Sequence, residues 1–489
     1  MTEGLCLEQI LFADDVETRE EVQATQGAIP ESIQGTYYLN GPANFRRGGM
    51  TYQHWLDGDG LIRALRFAPG LVEHQARFVR SKKFTDETAA GRPLYRAFGT
   101  AFQGDRLRRR MTLESPVNVS VYRFGEHLLA FGEQSLPCEL SPENLETIGE
   151  CNFNGQLLDI APFSAHPKID ARTGRLCNFG LKYTTGGTNL CYWEFDRRLA
   201  CVFAAEFEAG LPYSVHDFAL SQRFAAFYLS PYLLDIGAFV RERRSIFDAA
   251  VWCPDEENKV LLVDRRSKGN AIRLGLGRRG YCLHLINAFD DGDILVLDLI
   301  ETEEPLYLQY RPLPHLFSTV KPCAFVRIRV HVSKASVAAV TERRQDLHLD
   351  FPVVLPEICG APYGEVWTLA MPTEPGGGSK FYDRIVRFDW NRAKVVDHYL
   401  APSGVFLAGE PALVRHGLNK EAFMICPRWH SRANCSDYII LDPFNLSSPP
   451  VATLPLTHAS PLGFHSTFCT APHRSAPSER NFNLDGQGE

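Results

Sequence analysis

The sequence predicts an all-β protein, and two observations support that prediction. Short runs rich in β-branched and aromatic residues recur from about residue 35 to the end, bounded by Gly, Pro, Asp or Asn. No linker interrupts the 489 residues, so the strands need a continuous closed arrangement. Radial repetition in a propeller provides such closure economically. Two packed sandwiches remain the alternative on pattern alone, because no exact repeat is visible.

The predicted strands are dominated by Val, Ile, Leu, Phe and Tyr, the residues that favour pleated, buried surfaces. In chain order they are 127–133, 223–229, 259–265, 292–300, 324–330, 384–390 and 438–443. Several continue through an Asp-containing turn into a second strand, as in RIVRFDWNRAKVVDHYL at 384–400. This pattern predicts successive antiparallel hairpins.

Two segments depart from the strand pattern. The run Gly376, Gly377 and Gly378 is interpreted as a loop tip between strands, because neither a Lys-Ser pair nor a helical pattern follows it. The segment 230–252, SPYLLDIGAFVRERRSIFDAAVW, has the mixture of apolar and charged residues of a helix. It is either an ordinary packed helix or an amphipathic segment at a membrane surface.

Composition excludes several classes of protein. A net charge of −7 and the absence of a long Lys/Arg run argue against a nucleic-acid partner. The thirteen cysteines are scattered and form no CxxC pair, which favours a reduced cytoplasmic setting. The acidic start lacks the features of a secretory signal, and no apolar stretch approaches the roughly 18 residues that cross a bilayer. Membrane contact is therefore expected to be peripheral.

Four of the fifteen histidines stand in distinctive contexts. His166 lies in AHPKID, His216 in SVHDFAL, His284 in CLHLINAFDDGD and His465 in PLGFHSTF. Each histidine lies at the start of a strand-like run or just before one. Their wide separation is unlike the local pairs of zinc motifs, so the contexts carry the argument and the spacing does not.

These four phrases resemble, in the same order, the signatures of the carotenoid cleavage oxygenases. GTYYLNGP at 35–42, HWLDGDGLIRALRF at 54–67 and ESPVNVSVYRFGEHLLAFGE at 114–133 extend the resemblance over nearly the whole chain. The resemblance implies a seven-bladed β-propeller with a cap of helices and loops over an axial iron site. It also implies one domain over 1–489, with a lead-in segment of about 1–30, a propeller of about 31–475 and a tail of about 476–489.

The resemblance further implies that one ferrous ion per chain is held by His166, His216, His284 and His465. Imidazole nitrogens suit iron, and four of them leave positions for dioxygen or substrate. Three carboxylates are expected behind three of the histidines, where they fix the orientation of the rings. By motif these are Glu133, Asp350 and Glu410, although the family's usual residue at the middle position is glutamate. We therefore expect a longer or water-mediated contact from Asp350, or its replacement by Glu357.

Three further groups of residues are matched by the same motifs. Asn118 and Val119 fall where relatives place a small residue beside the open side of the iron, and a plain core valine is equally consistent there. His54 and Asp57 to Gly60 are interpreted as a structural turn. Gly132 stands where stilbene-cleaving relatives have the lysine that binds a phenol hydroxyl.

The expected activity is cleavage of a carbon–carbon double bond in a carotenoid or apocarotenoid by dioxygen, giving two carbonyl products. Gly132 makes a stilbene a less favoured substrate, and nothing in the sequence singles out the family's isomerase activity. The alternative from another class is a non-catalytic propeller scaffold, which would have no need of four ligands. The partners are therefore a hydrophobic polyene and O2, with no obligate protein partner.

The segment 230–252 is the expected site of peripheral membrane contact. Its arginines, Arg241, Arg243 and Arg244, are suited to anionic headgroups. Its apolar residues are Tyr232, Leu233, Leu234, Ile236, Phe239, Val240, Ile246 and Phe247.

Overall fold

The computed structural model describes residues 7–11, 17–133, 135–184, 187–310, 316–373, 381–415 and 421–470. Within these residues, seven antiparallel sheets of four or more strands follow one another along the chain. They are the blades of a propeller, which confirms the predicted fold. The glycine run Gly376 to Gly378 and the predicted tail 476–489 lie outside the described residues.

Each of the first four blades is built largely from consecutive strands. Blade 1 contains Thr18–Glu21, Gly35–Ala43, Asp59–Ala68, Leu71–Phe78 and Ser466–Thr470. Blade 2 contains Ser120–Phe124, His127–Phe131, Cys138–Leu140 and Thr147–Glu150. Blade 3 contains Lys168–Ile169, Leu176–Thr184, Gly187–Phe195 and Cys201–Gly210. Blade 4 contains Ala219–Leu220, Phe224–Leu229, Lys259–Asp264 and Ala271–Gly275.

The remaining three blades follow the same plan. Blade 5 contains Leu285–Asp291, Ile294–Thr302, Cys323–His331 and Ser336–Arg344. Blade 6 contains Leu347–Val353, Glu365–Pro372, Arg384–Asp389 and Lys394–Leu400. Blade 7 contains Gln26–Gly27, Val405–Leu407, Ala412–Arg415, Ala422–His430, Cys435–Leu441 and Ala452–Pro455.

Two small ribbons and a few short helices connect the blades. The ribbons are Arg46–Arg47 with Met50–Thr51, and Tyr232–Leu234 with Ala250–Trp252. The α-helices are Leu7–Leu11, Lys82–Ala90, Ile236–Val240 and Ile246–Ala249. Single 3-10 turns occur at Trp55–Asp57, Leu306–Leu308 and Pro356–Ile358.

All seven predicted strand runs are strands, and their burial explains their composition. The central strand Phe224–Leu229 is buried along its whole length, so it reads as a continuous apolar run. The strand Cys201–Gly210 at the edge of blade 3 alternates instead, with Phe203 and Phe207 buried and Val202 exposed. The apolar faces of neighbouring blades pack together and form the core between them.

The ring is closed by strands from both ends of the described chain. Ser466–Thr470 pairs antiparallel with Gly35–Ala43 in blade 1, with Tyr37 opposite Phe468. Gln26–Gly27 pairs with Ala452–Pro455 in blade 7. The predicted lead-in segment therefore contributes two strands, Thr18–Glu21 to blade 1 and Gln26–Gly27 to blade 7. Each covers the edge of a strand that would otherwise be free to pair.

The segment 230–252 is not one helix, and that prediction is wrong. Its two ends form a ribbon in which Tyr232 is opposite Trp252. Between them lie two short helices, which begin after the N-caps Asp235 and Ser245. Most of its apolar residues are buried or half-buried, and of the eight expected at a membrane only Val240 is exposed. No described helix is long and apolar enough to span a bilayer.

The HWLDGDG motif is a structural turn, as the sequence indicates. The His54 Nδ1 accepts the Leu56 N–H at 3.1 Å, and the Asp57 carboxylate accepts the His54 N–H at 3.1 Å. This reciprocal arrangement caps the 3-10 turn Trp55–Asp57. The Asn118 side-chain amide donates to the Leu56 and Gly58 carbonyls, so Asn118 holds the same turn in place.

Candidate metal centre

Each of the four candidate histidines lies just before an edge strand of a different blade. His465 and His284 directly precede such strands in blades 1 and 5, and His166 and His216 lie two and three residues before those of blades 3 and 4. These edge strands contact those of neighbouring blades, as Ala219–Leu220 of blade 4 and Leu285–Asp291 of blade 5 do. Histidines that are distant in sequence are thereby brought together at the centre of the propeller.

The four histidines form one compact and buried cluster. One ring nitrogen from each lies within 4.8 Å of those of the other three. The side chains are buried, and Nε2 of His166 is 2.8 Å from Nε2 of His216. Four buried and converging imidazoles are an arrangement that can bind a metal ion.

Three carboxylates contact the outer Nδ1 atoms of three histidines. Glu133 Oε1 is 2.9 Å from His216 Nδ1, and Glu410 Oε1 is 3.3 Å from His465 Nδ1. Asp350 Oδ1 is 2.5 Å from His284 Nδ1. A carboxylate that accepts the Nδ1 proton leaves Nε2 free to coordinate, so the hydrogen bonds of Asp350 and Glu410 set the tautomer that a metal site requires at His284 and His465. Glu133 Oε1 lies close to His216 Nδ1 but makes no hydrogen bond with it.

The carboxylates come from the blades that supply no histidine. Glu133 follows a strand of blade 2, Asp350 lies in a strand of blade 6, and Glu410 lies between two strands of blade 7. Each of the seven blades thus contributes one residue to the site. Such an arrangement depends on complete closure of the ring.

Asp350 reaches His284 directly, because the backbone bulges at this point. The register of blade 6 shifts between Asp350 and Val353, and Phe351 has a positive φ of 52°. The Phe351 N–H donates to Asp350 Oδ1, and the Tyr310 and Tyr382 hydroxyls donate to Oδ2 at 2.7 and 3.3 Å. Glu357 instead pairs with Arg415 at the surface, so it is not the contact to His284.

No carboxylate of the described residues hydrogen-bonds the His166 ring, and this environment was not anticipated from the sequence. Asp217 Oδ1 lies 3.9 Å from His166 Nδ1 and is paired at 2.7 Å with Lys168. The other Asp217 oxygen accepts the Leu285 N–H, next to His284. Lys168 and Asp217 follow His166 and His216 closely in sequence, as HPK and HD. This proximity to the histidines is the signal that could have identified them.

The electrostatics of the cluster favour neutral donors at two positions. Burial, followed by the neighbouring histidines, lowers the pKa of His166 well below its usual value. Burial also lowers the pKa of His465. Burial acts the same way on His284, but Asp350 overrides it and raises that pKa. Although burial alone would raise the pKa of Asp350, His284 holds it below its usual range.

The donor set fits a metal ion. His284 Nε2 is buried and makes no hydrogen bond, which is costly for a polar atom unless it has another partner. Its Nδ1 is already bound to Asp350. A cation at the centre of the four rings would satisfy His284 Nε2 and would separate the two facing nitrogens of His166 and His216.

Aromatic side chains lie close to the cluster. The Tyr307 hydroxyl is 3.2 Å from His216 Nδ1. The Phe351 ring lies 5.1 Å from that of His465, and Trp55 lies 4.4 Å from Phe464. Val119 is buried, and its carbonyl accepts the His465 N–H at 3.2 Å, which places it beside the site.

Comparison with known proteins identifies the family. The model of the family described as retinal pigment epithelial membrane protein matches residues 12–470. The chain belongs to this family. Apocarotenoid-15,15'-oxygenase of Synechocystis sp. is 29% identical over 91% of this chain and 92% of its own. Lignostilbene-alpha,beta-dioxygenase isozyme III of Sphingomonas paucimobilis is 26% identical over 91% and 93%.

Solved structures agree with this membership of an oxygenase family. Cobalt-substituted apocarotenoid oxygenase of Synechocystis superposes with a TM-score of 0.85 at 26% identity, covering 95% of this chain and 98% of that one. Isoeugenol monooxygenase of Pseudomonas nitroreducens is 24% identical over 91% of this chain and 94% of its own. The family predicted from the histidine motifs is therefore confirmed.

Gly132 leaves no room for a side chain beside Glu133. A Cβ at this position would lie 2.0 Å from Ser115 Oγ and 3.0 Å from Val117 Cα. A lysine at position 132 would require the loop 115–117 to move.

Proposed function

We propose that this protein is a non-haem ferrous iron dioxygenase that cleaves a carbon–carbon double bond of a carotenoid or apocarotenoid, giving two carbonyl products. The observation that carries the proposal is the buried cluster of His166, His216, His284 and His465 with carboxylates behind three of them. One ion per chain follows from one cluster among the described residues. When bound, ferrous iron supplies the activation of dioxygen.

The chain's own residues orient and protect the site. Glu133, Asp350 and Glu410 hold three rings in place, and the buried aromatic side chains around Trp55 and Phe351 exclude water. Binding of an apolar polyene fits such a lining, because aromatic walls bury large apolar area. The double bond that is cleaved depends on how far the substrate can enter the site.

The substrate class rests on one relative and one position. The apocarotenoid oxygenase matches nearly the full length of this chain, which supports an apocarotenoid. A stilbene is the second candidate, because the lignostilbene dioxygenase matches over a similar length. The crowding at Gly132 opposes it, since the phenol-binding lysine of that group would not fit without rearrangement.

A non-catalytic scaffold is the competing hypothesis from another class. It gives no reason for four buried histidines whose ring nitrogens converge, because unpaired buried polar groups destabilise a core. Metal analysis separates the two hypotheses. About one iron per chain is expected for the enzyme, and protein that neither contains nor takes up iron would reject it.

Replacement of one ligand tests the site itself. His216→Ala and His284→Ala each remove one neutral donor, so iron content and cleavage should fall close to zero while the circular dichroism spectrum stays that of the parent. His398, which is exposed, provides the matched control as His398→Ala. Product analysis with carotenoids, apocarotenals and stilbenes identifies the substrate. Full activity in either ligand variant contradicts the assignment.

We further propose a cytoplasmic protein that contacts membranes peripherally, through a surface wider than 230–252. Met111, Leu158 and Val240 are exposed apolar residues. The loop 105–113 packs against the helix Ile236–Val240, and exposed arginines lie on the loop and in the residues that follow the helix. Met111→Glu with Val240→Glu should reduce co-sedimentation with anionic liposomes, whereas Leu400→Glu on blade 6 should not. Equal binding by all three proteins would reject the contact.

A further inference from the structure

A cavity of about 150 Å³ lies between the helix Lys82–Ala90 and blade 2, apart from the metal centre. Its lining comes from the N-terminal end of that helix, from the loop before blade 2 and from the two outer strands of the blade. Among the described residues that line it, none belongs to the metal centre. An apolar cavity of about 150 Å³ holds a benzene molecule, so this one has room for a small polyatomic ligand.

One hydroxyl in the buried part of the cavity has no partner. Ser135, which lines the cavity, is 6% exposed, and its Oγ forms no hydrogen bond within the described part of the chain. The Ser135 N–H donates to the Phe163 carbonyl at 3.1 Å, so the backbone holds the residue in place. A buried hydroxyl without a partner destabilises the fold, because water hydrogen-bonds it in the unfolded chain. The hydroxyl therefore indicates a ligand.

Three basic side chains line the same cavity. Arg80 and Lys82 are exposed, and they pair with Glu17 at 2.9 Å and with Asp86 at 2.7 Å. Exposed ion pairs of this kind contribute little to stability, so both cations can turn to a ligand at small loss. Arg108 is half-buried and adds a third positive charge from the loop before blade 2.

The helix Lys82–Ala90 adds the positive end of its dipole. Ser81 is the N-cap of this nine-residue helix, and its side chain accepts the Phe84 N–H at 3.2 Å. Ser81 and Lys82 both line the cavity, so the start of the helix lies against it. The dipole and the free amides of a first helical turn favour an anion at this position.

A buried carboxylate restricts which anion fits the cavity. Glu114 also lines it, is 4% exposed and lies 3.5 Å from Arg108 Nη1. Glu150 is a second lining carboxylate, but Arg108 donates to both of its oxygens, at 2.6 and 3.0 Å. Glu114 repels a fully ionised oxyanion such as sulfate, whereas it accepts a hydrogen bond from an oxyanion that carries a proton. Hydrogen phosphate carries such a proton.

We propose that this cavity binds a phosphate group in its protonated form. Arg80, Lys82 and Ser135 donate to the phosphate oxygens, and Glu114 accepts the phosphate proton. The inference is independent of the proposed function, because this binding uses none of the candidate iron ligands. Free inorganic phosphate and the phosphate monoester of a lipid headgroup share this chemistry. The loop 105–113, which carries Arg108, belongs to the surface proposed above for membrane contact, so both sources are tested.

The test is anaerobic titration calorimetry of the iron-loaded protein with inorganic phosphate and, separately, with sulfate at neutral pH. The parent protein should bind phosphate at least about tenfold more tightly than sulfate, and Glu114→Gln should reduce this preference to within about twofold. Ser135→Ala should weaken phosphate binding about tenfold without lowering the melting temperature, because the hydroxyl has no partner in the protein alone. Arg80→Gln with Lys82→Gln should abolish measurable binding.

Lys394→Gln is the charge-matched control, since Lys394 is an exposed lysine of blade 6, and it should bind phosphate like the parent. Co-sedimentation with phosphatidylcholine vesicles, with and without phosphatidate, identifies the source. Weaker binding of Ser135→Ala to phosphatidate vesicles assigns the cavity to a lipid headgroup, and unchanged binding assigns it to free phosphate. No phosphate binding by the parent, equal affinity for sulfate, or unchanged phosphate affinity in Ser135→Ala or in the double variant would each overturn the inference.

Discussion

At the scale of single residues, Asp350 shows how backbone and side chain compensate for each other. An aspartate is one methylene shorter than the glutamates that serve His216 and His465, yet it makes the shortest of the three contacts. A register shift after Asp350 and a positive φ at Phe351 accompany this short contact. The positive φ at Phe351 stores strain, which is tolerated where a functional position requires it.

We predict that position 350 is specific for aspartate. Asp350→Asn removes the charge that holds the His284 tautomer, so iron affinity should fall by about 10 to 100-fold. Asp350→Glu should also weaken iron binding, because Tyr310, Tyr382 and the Phe351 N–H enclose the shorter carboxylate. Titration of apo protein with ferrous iron measures both effects.

Glu357→Gln is the control for position 350, since Glu357 pairs with Arg415 and does not touch the histidines. It should bind iron like the parent protein. If Asp350→Glu binds as tightly as the parent, the enclosure of this carboxylate does not limit its length.

The residues of the candidate site that the sequence predicted lie in continuous motifs, whereas those it missed reach the site from distant loops. The histidines and Glu133 and Glu410 were found because each lies in a continuous phrase that resembles the family. Tyr307 was missed because it reaches His216 across 91 positions of sequence from a short 3-10 turn with no distinctive pattern. Contacts that depend on how a loop folds over the site leave no local signal.

At the scale of elements, the segment 230–252 shows why a helical pattern misleads. The apolar residues fit a helix, but the N-cap residues Asp235 and Ser245 begin two helices of five and four residues. The pairing of Tyr232 with Trp252 is a long-range choice that brings the ends together. Isolated helices this short are unstable, so tertiary packing determines the outcome.

The turn that carries Glu133 gives a second prediction. Gly132→Ala places a methyl group 2.0 Å from Ser115 Oγ, so it should destabilise the protein by about 1–3 kcal/mol through overpacking. Ser115→Gly removes that oxygen, and the double variant should therefore be more stable than the sum of the single changes predicts. Thermal melting of all three variants measures this coupling.

Gly364→Ala is the matched control for the turn. A Cβ there meets only the Asn391 amide, at 3.4 Å, so its melting temperature should stay close to that of the parent. Strict additivity of Ser115→Gly and Gly132→Ala would show that Ser115 is not what excludes a side chain from position 132.

At the scale of the whole molecule, the candidate site forms only when the ring of seven blades closes. His465 immediately precedes the strand that closes blade 1, and the other six site residues come from the other six blades. A propeller left open would separate residues that must converge within a few ångströms. The strands were predictable from local composition, but the number of blades and the closing pair were not, because pairing between residues 35 and 470 has no local signature.

The buried histidines outside the site make the stability of the whole fold depend on pH. Burial, with Arg63 and Arg66 nearby, lowers the pKa of His74 to about 3. Its ring nitrogens make no hydrogen bond within the described part of the chain, although Glu20 Oε1 lies 3.8 Å from Nδ1, and its ring packs on Tyr438 between blades 1 and 7. In the unfolded chain this histidine titrates near its ordinary value of about 6.5. Between these two pKa values the unfolded state binds one more proton than the folded state.

The free energy of unfolding must then fall as the pH falls through that window. His74 should contribute about 1.4 kcal/mol per pH unit between about pH 6.5 and pH 3, and nothing above pH 7.5. In His74→Leu the decline of stability from pH 6.5 to 4.5 should be shallower by that slope, whatever the other groups contribute. Urea denaturation at several pH values measures it, with exposed His398→Gln as the control that keeps the parent slope. If the free energies of unfolding of His74→Leu and of the parent fall in parallel as the pH falls, then His74 is protonated in the folded protein without loss of the packing between blades 1 and 7.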